Sequence, residues 1–233
     1  MYSGFKIKAP FFEIGPKAYL YGEEMLKLAK VIDRVAAKYD VDVIVTPQYT
    51  DISLLANNTE RILVFAQHMD SLPVGRGLGS VLPEAVKAAG AVGVMLNHAE
   101  KPISFEEIEK TIARADEVGL GTIVCANTVE DVKAIAKMGP NLIVAEPTDL
   151  IGTGQTSDSN YVLDTIRTVN EINPDIMVLQ GAGISNGQDV YNTIKLGAQA
   201  TGSTSGIIKA ADPYAMVEEM LYNLRKAWDE LHA

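Results

Sequence analysis

The apolar run Leu142-Ile-Val-Ala145 is followed directly by Glu146-Pro-Thr-Asp-Leu-Ile-Gly-Thr-Gly154. Such a run reads as a short buried strand, so a carboxylate stands at its carboxyl end, beside a proline-started loop closing on two glycines. These parts supply a base, a mobile cover and backbone N–H groups able to hold a phosphate. Other apolar runs end in residues that complement them: Gly15-Pro16-Lys17, Asn97-His98, Gly181-Ala-Gly-Ile-Ser185 and Gly202-Ser-Thr-Ser-Gly206. A carboxylate, an imidazole and an ammonium suit proton abstraction next to a carbonyl. Glu146 would take the C–H proton. His98 would polarise the carbonyl oxygen through an N–H and shuttle protons between oxygens, and Lys17 would neutralise the enediolate and the phosphate charge. The loop from Pro147 to Gly154 would close over the intermediate and exclude water.

Each side chain also has a plainer reading. Lys17 fits a strand-end lysine with its stem packed on apolar surface, His98 a turn histidine, and Glu100 the partner of a nearby Lys or Arg. His68, in Ala66-Gln-His-Met-Asp70, is read as structural, His232 as a tail residue, and Cys125, inside Thr122-Ile-Val-Cys125, as a buried strand thiol. The joint occurrence of Lys17, His98 and Glu146 at strand ends favours the catalytic reading.

The elements that must position these residues recur along the chain. Short apolar runs fall at Phe11–Ile14, Val41–Val45, Ile62–Phe65, Val92–Leu96, Thr122–Cys125, Leu142–Ala145, Ile176–Leu179 and Ala198–Thr201. Most are continuous rather than alternating, as in parallel strands covered on both faces. Helical patterns lie between them. One runs from Glu23 to Tyr39 with Met25, Leu28, Ala29, Ile32 and Val35 on one stripe. Ser104-Phe-Glu-Glu107 reads as a capping box opening a helix that ends near Gly119. Further helices are expected near 50–57, 82–89, 129–138, 158–172, 187–196 and 212–230. Eight strand–helix units in 233 residues indicate one α/β domain over 1–233, a (β/α)8 barrel, with chemistry on the loops after the strands. The absence of G-x-G-x-x-G after the first strand argues against a dinucleotide-binding sheet. In a barrel, the glycine turns after strands seven and eight resemble the phosphate site built there.

Composition bounds the partners. The chain is 47% hydrophobic and carries a net charge of −10 without a Lys/Arg cluster, which excludes nucleic acid and an anionic membrane as expected partners. No apolar run reaches the roughly 18 residues of a membrane span, and no basic-then-apolar leader opens the chain, so a soluble, cytoplasmic protein is expected. With a single cysteine, neither an intrachain disulfide nor a cysteine-based metal cluster is possible.

At these positions the chain resembles the triosephosphate isomerase family, in particular its short archaeal-type branch, over nearly its whole length. The matching segments are Lys17-Ala-Tyr19, Thr46-Pro-Gln48, Phe65-Ala-Gln-His68, Leu82-Pro-Glu84, Leu96-Asn-His98 with Glu100, Glu146-Pro147, Leu150-Ile-Gly-Thr-Gly154, Gly181-Ala-Gly-Ile184 and Ser205-Gly206. That family is itself the standard illustration of a Glu base, a neutral His and a closing loop, so those roles come with the resemblance. It implies a TIM barrel without metal or cofactor. Lys17, His98, Glu146 and Glu100 become catalytic positions, and Gly15, Lys17, Ile151, Gly152, Gly183, Thr204 and Ser205 substrate- and phosphate-binding ones. The implied partners are a small phosphorylated sugar and other copies of the chain, as a homodimer or homotetramer through the loop from about Asp70 to Ser80.

The departures from the family pattern are specific. Gly15 stands where Asn-x-Lys has its asparagine, His98-Ala-Glu-Lys101 replaces His-Ser-Glu-Arg, and Leu78 stands where a threonine precedes Gly79. The three are expected to cluster around one wall of the site while Lys17, His98 and Glu146 are kept, implying retained chemistry with altered substrate fit. The expected reaction is interconversion of glyceraldehyde 3-phosphate and dihydroxyacetone phosphate through an enediol(ate). Two alternatives are an isomerase of a four-carbon ketose phosphate, such as erythrulose phosphate, and a non-catalytic phosphate-binding barrel.

Overall fold

The computed structural model describes residues 1–233. Eight parallel strands close into a barrel in chain order: β1 (Phe11–Ile14), β2 (Asp42–Val45), β3 (Ile62–Ala66), β4 (Gly93–Leu96), β5 (Gly121–Ala126), β6 (Leu142–Ala145), β7 (Met177–Gln180) and β8 (Ala200–Gly202). Closure is made by β1 against β8, with Phe11 opposite Ala200 and Glu13 opposite Gly202. Successive side chains of a strand point to opposite faces. Phe11, Ile44, Phe65, Ile123, Leu142, Leu179 and Ala200 therefore meet inside the barrel as one buried cluster. Their neighbours Phe12, Ile14, Val43, Val45 and Val64 join the larger cluster under the helices. Both faces are dry, hence the continuous apolar runs. Each fully buried Phe, Ile or Leu contributes about 1.5–3 kcal/mol.

The N-terminal segment stoppers the amino end of the barrel. Phe5 meets Phe65 edge-on at 5.5 Å between ring centroids. A Cβ on Gly121 would lie 2.6 Å from the Phe5 ring, and one on Gly93 2.3 Å from Phe65, so both strand starts need glycine. The opposite, carboxyl end stays open for a site.

The outer helices are α1 (Gly22–Tyr39), α2 (Ile52–Ala56), α3 (Pro83–Ala88), α4 (Phe105–Val118), α5 (Val129–Ala136), α6 (Ser159–Ile172), α7 (Gly187–Lys195), α8 (Ser205–Ile208) and α9 (Pro213–Leu231). The predicted stripe of α1, Met25 to Val35, is buried. Asp158 and Asp212 cap α6 and α9 by accepting from two backbone N–H groups each.

Three local expectations change. The region near 50–57 is a 3₁₀ turn over Tyr49–Asp51 followed by the short α2. The turn after β8 continues into α8, which has too few residues to show a helical period. At α4 only half of the capping box forms: Ser104 Oγ accepts from the Glu107 N–H at 3.2 Å, while the Glu107 carboxylate accepts from Ser71 Oγ at 2.6 Å. A tertiary hydroxyl has outcompeted the local N–H. The complete box is at α5, between Thr128 and Asp131.

Candidate active site

A cavity of about 960 Å³ opens at the carboxyl ends of the strands. Gly15, Lys17, His98, Glu100, Glu146, Ile151, Gly152, Gly183, Thr204 and Ser205 all line it. The predicted site residues are thus brought together without exception.

Lys17 follows Pro16 with its backbone in the left-handed region, φ 50°, a strained position for a residue with a Cβ. The strain is held by two amides: Gln48 Nε2 and Gln67 Nε2 donate to the Lys17 carbonyl oxygen at 2.7 and 2.9 Å. Its ammonium donates to Glu100 Oε1 at 2.5 Å, and that ion pair holds the Glu100 carboxyl below the usual carboxylate range.

His98 follows Asn97, also left-handed at φ 57°, a conformation asparagine tolerates well. The Asn97 side chain fixes the turn, donating to the Cys125 carbonyl at 2.9 Å and accepting from the Ile103 N–H at 3.1 Å. The backbone N–H of Glu100 donates to His98 Nδ1 at 3.1 Å. An accepting Nδ1 places the ring proton of the neutral imidazole on Nε2. Burial first, and the Lys17 charge second, lower the pKa of His98, so the ring is a neutral donor near pH 7. Glu100 therefore works twice, by its backbone on the imidazole and by its carboxylate on the lysine.

Glu146 leaves β6 with its own N–H donating to Ala126 O at 2.9 Å. Its Oε1 accepts from the Ala182 N–H at 3.0 Å. Burial raises its pKa, opposed by Lys17 and by the Ala182 N–H. A Cβ on Gly181 would lie 2.8 Å from Glu146 Cβ, so the β7 turn needs glycine to let this carboxylate in.

The loop after β6 makes a 3₁₀ turn over Thr148–Leu150 and exposes Gly152 to Thr156. Its first part is tied by the Thr148 N–H to Asn127 Oδ1 at 2.9 Å. Its last part presses on the β7 turn, where a Cβ on Gly183 would meet Gln155 O at 1.9 Å.

Ala99 does not line the cavity. It is exposed and faces a smaller cleft with Pro102, Phe105 and Asn127, because the turn that aims His98 inward turns the next residue outward. Gly15, Leu78 and Lys101 border the site, so each of the three departures reaches it and Ala99 alone does not. His68 is buried with Nε2 3.2 Å from Asp70 Oδ1, and Cys125 is buried with its thiol pushed well up by burial. Sequence reasoning missed Glu13, which lines the cavity together with Asp70, Glu100 and Glu146. It also gave no role to Gln48 and Gln67. The available signal for Glu13 was a lone carboxylate in an apolar strand, two residues before Gly15 and so on the same face.

Fold and site together define a (β/α)8 barrel equipped for acid–base chemistry on a small anionic substrate. A family model described as triosephosphate isomerase matches residues 15–220. The chain is 42% identical to a triosephosphate isomerase of Methanobacterium bryantii over 88% of this chain and 93% of that protein. It is 39% identical to one of Sulfurisphaera tokodaii over 96% and 99%, and 38% identical to one of Methanosarcina barkeri over 91% and 97%. The chain belongs to the triosephosphate isomerase family.

Proposed function

We propose that the chain interconverts glyceraldehyde 3-phosphate and dihydroxyacetone phosphate, the reaction for which its relatives are named. Glu146 removes the proton from the carbon next to the carbonyl. The His98 Nε2–H polarises that carbonyl and carries protons between the two oxygens of the enediolate. Lys17 offsets the developing negative charge, most strongly once water is excluded. Backbone N–H groups of Ile151, Gly152, Gly183, Thr204 and Ser205 hold the phosphate, and the loop from Pro147 to Gly154 closes over it. The carrying observation is the His98 ring. Its Nδ1 is occupied by a backbone donor, leaving an Nε2–H for the cavity that holds Glu146 and Lys17. Assay of the purified protein with both triose phosphates tests the reading, and an absence of turnover with either overturns it.

No helix is long and apolar enough to cross a membrane, in keeping with a cytoplasmic enzyme of glycolysis and gluconeogenesis. The loop from Asp70 to Ser80 leaves Val74 and Leu78 exposed, apolar surface that favours self-association. A homodimer or homotetramer through this loop is the assembly proposed. Monomeric mass by light scattering at micromolar protein would sink it.

A further inference from the structure

Glu13 lies on β1, two residues before Gly15 and on the same inward face. Its carboxyl rises into the space that a side chain on Gly15 would occupy: a Cβ there would lie 3.0 Å from Glu13 Oε1 and 3.3 Å from both Thr46 Oγ1 and Thr204 Oγ1. Three oxygens from three strand ends thus surround an empty position in the cavity wall. Thr46 Oγ1 donates to Glu13 Oε1 at 3.1 Å, and a Cβ on Gly202 would lie 3.1 Å from Oε2, so glycines at 15 and 202 make the room. The barrel core below is filled by apolar side chains, among them Phe11, Ile44 and Ala200.

We propose that Glu13, with the hydroxyls of Thr46 and Thr204, forms a substrate-contacting cradle for a non-phosphate oxygen of the sugar, and that Glu13 is thereby a specificity residue of this enzyme. The proposal rests on the isomerase reading above and adds a group to it. The chemistry suits an aldose–ketose reaction. Each reacting oxygen is a carbonyl, acceptor only, in one isomer and a hydroxyl in the other. A neutral carboxyl offers one donor and one acceptor, and threonine hydroxyls rotate to offer either. The cradle can therefore serve both isomers without rearrangement.

Protonation makes this testable. The carboxyl is half-buried, and it lines the cavity. Burial, reinforced by Glu146 and opposed by Thr46 and Lys17, raises its pKa to about 8. The charged and titratable groups facing it are Lys17 beyond its own strand, Glu146 after β6 and Cys125 on β5. Below about 8 the acid is neutral and donates; above it the carboxylate repels an anionic substrate and its enediolate. The experiment is steady-state kinetics of wild type, Glu13→Gln and Glu13→Ala with both triose phosphates from pH 6 to 10. Loss of one substrate hydrogen bond predicts a KM about tenfold higher for Glu13→Ala, with kcat changed less. Glu13→Gln, neutral at every pH, should keep a near-normal KM at pH 7 and lose the wild-type fall in kcat/KM near pH 8. A wild-type KM in Glu13→Ala, or an alkaline fall that survives in Glu13→Gln, overturns the proposal. If Glu13→Ala does not fold, the Glu13→Gln profile decides alone. An inactive wild type overturns the isomerase reading itself, whereas an active wild type with an indifferent Glu13→Ala overturns only the cradle.

Discussion

The side-chain amide of Gln67 donates to the backbone carbonyl oxygen of Lys17 at 2.9 Å. The same amide donates to Thr46 O at 2.9 Å, tying the ends of β1 and β2 together. Gln48 adds a second amide on the Lys17 oxygen. The left-handed backbone of Lys17 persists because its surroundings over-determine it. Strain of this kind costs about 1–3 kcal/mol and clusters at functional sites.

Removing both amides should let Lys17 relax out of the cavity. Gln48→Ala with Gln67→Ala is expected to lower kcat/KM by roughly ten- to a hundredfold if most of that strain energy had been positioning the ammonium. Kinetics on the folded double variant check this. Unchanged kcat/KM would show that Lys17 is held by its ion pair with Glu100 alone.

Glu146→Gln keeps the shape of the side chain and loses the base. A drop of about three decades in kcat lies within the range for a central acid–base group. Affinity for a phosphate-bearing competitive inhibitor should survive, because the backbone donors proposed for the phosphate are untouched. Calorimetric titration beside kinetics separates the two, and near-normal turnover would remove Glu146 from its role.

The lowered pKa of His98 fixes a sign. The folded state holds the ring proton less tightly than the unfolded chain, whose histidine titrates at about 6.5. This residue therefore lowers stability as pH falls below about 6.5 and ceases to do so above it. Nitrogen NMR of the ring should show neutral imidazole with the proton on Nε2 still dominant at pH 6.5. A half-charged ring at that pH would refute the neutral electrophile.

Gly15→Asn alone should impair rather than restore the family arrangement. Its Cβ would lie 3.0 Å from Glu13 Oε1 and 3.3 Å from both Thr46 Oγ1 and Thr204 Oγ1, tighter than ordinary contact on three sides. Overpacking of this kind typically costs about 1–3 kcal/mol. Combined with Glu13→Ala the cost should fall, since contacting residues are not additive. A double-mutant cycle in kcat/KM for glyceraldehyde 3-phosphate measures the coupling, and strict additivity would deny that positions 13 and 15 share one space.

Most of the architecture was legible in the chain because it depends on local pattern. The strand at Leu142–Ala145 and the α1 stripe from Met25 to Val35 are set by burial on two faces or on one, and that periodicity is written in residue order. Lys17, His98 and Glu146 were legible for the same reason: each lies within three residues of the end of an apolar run. The failures share a different cause. Glu107 gave up its place in the capping box to a hydroxyl 36 residues away, and Ala99 turned outward because Asn97 adopts a left-handed turn. Glu13 was passed over as one polar residue in a strand.

By itself the sequence determined the eight strand–helix units, the open carboxyl end with its reactive side chains, and the family. It did so because hydrophobic period and strand-end chemistry need only near neighbours. Tertiary structure alone decided the states of the groups. Closure of β1 on β8 and β2 sets Glu13, Thr46 and Thr204 around Gly15. A backbone N–H selects the His98 tautomer, and desolvation raises Glu13 and Glu146 while lowering His98. Distances between strand ends and the removal of water exist only after the barrel has closed.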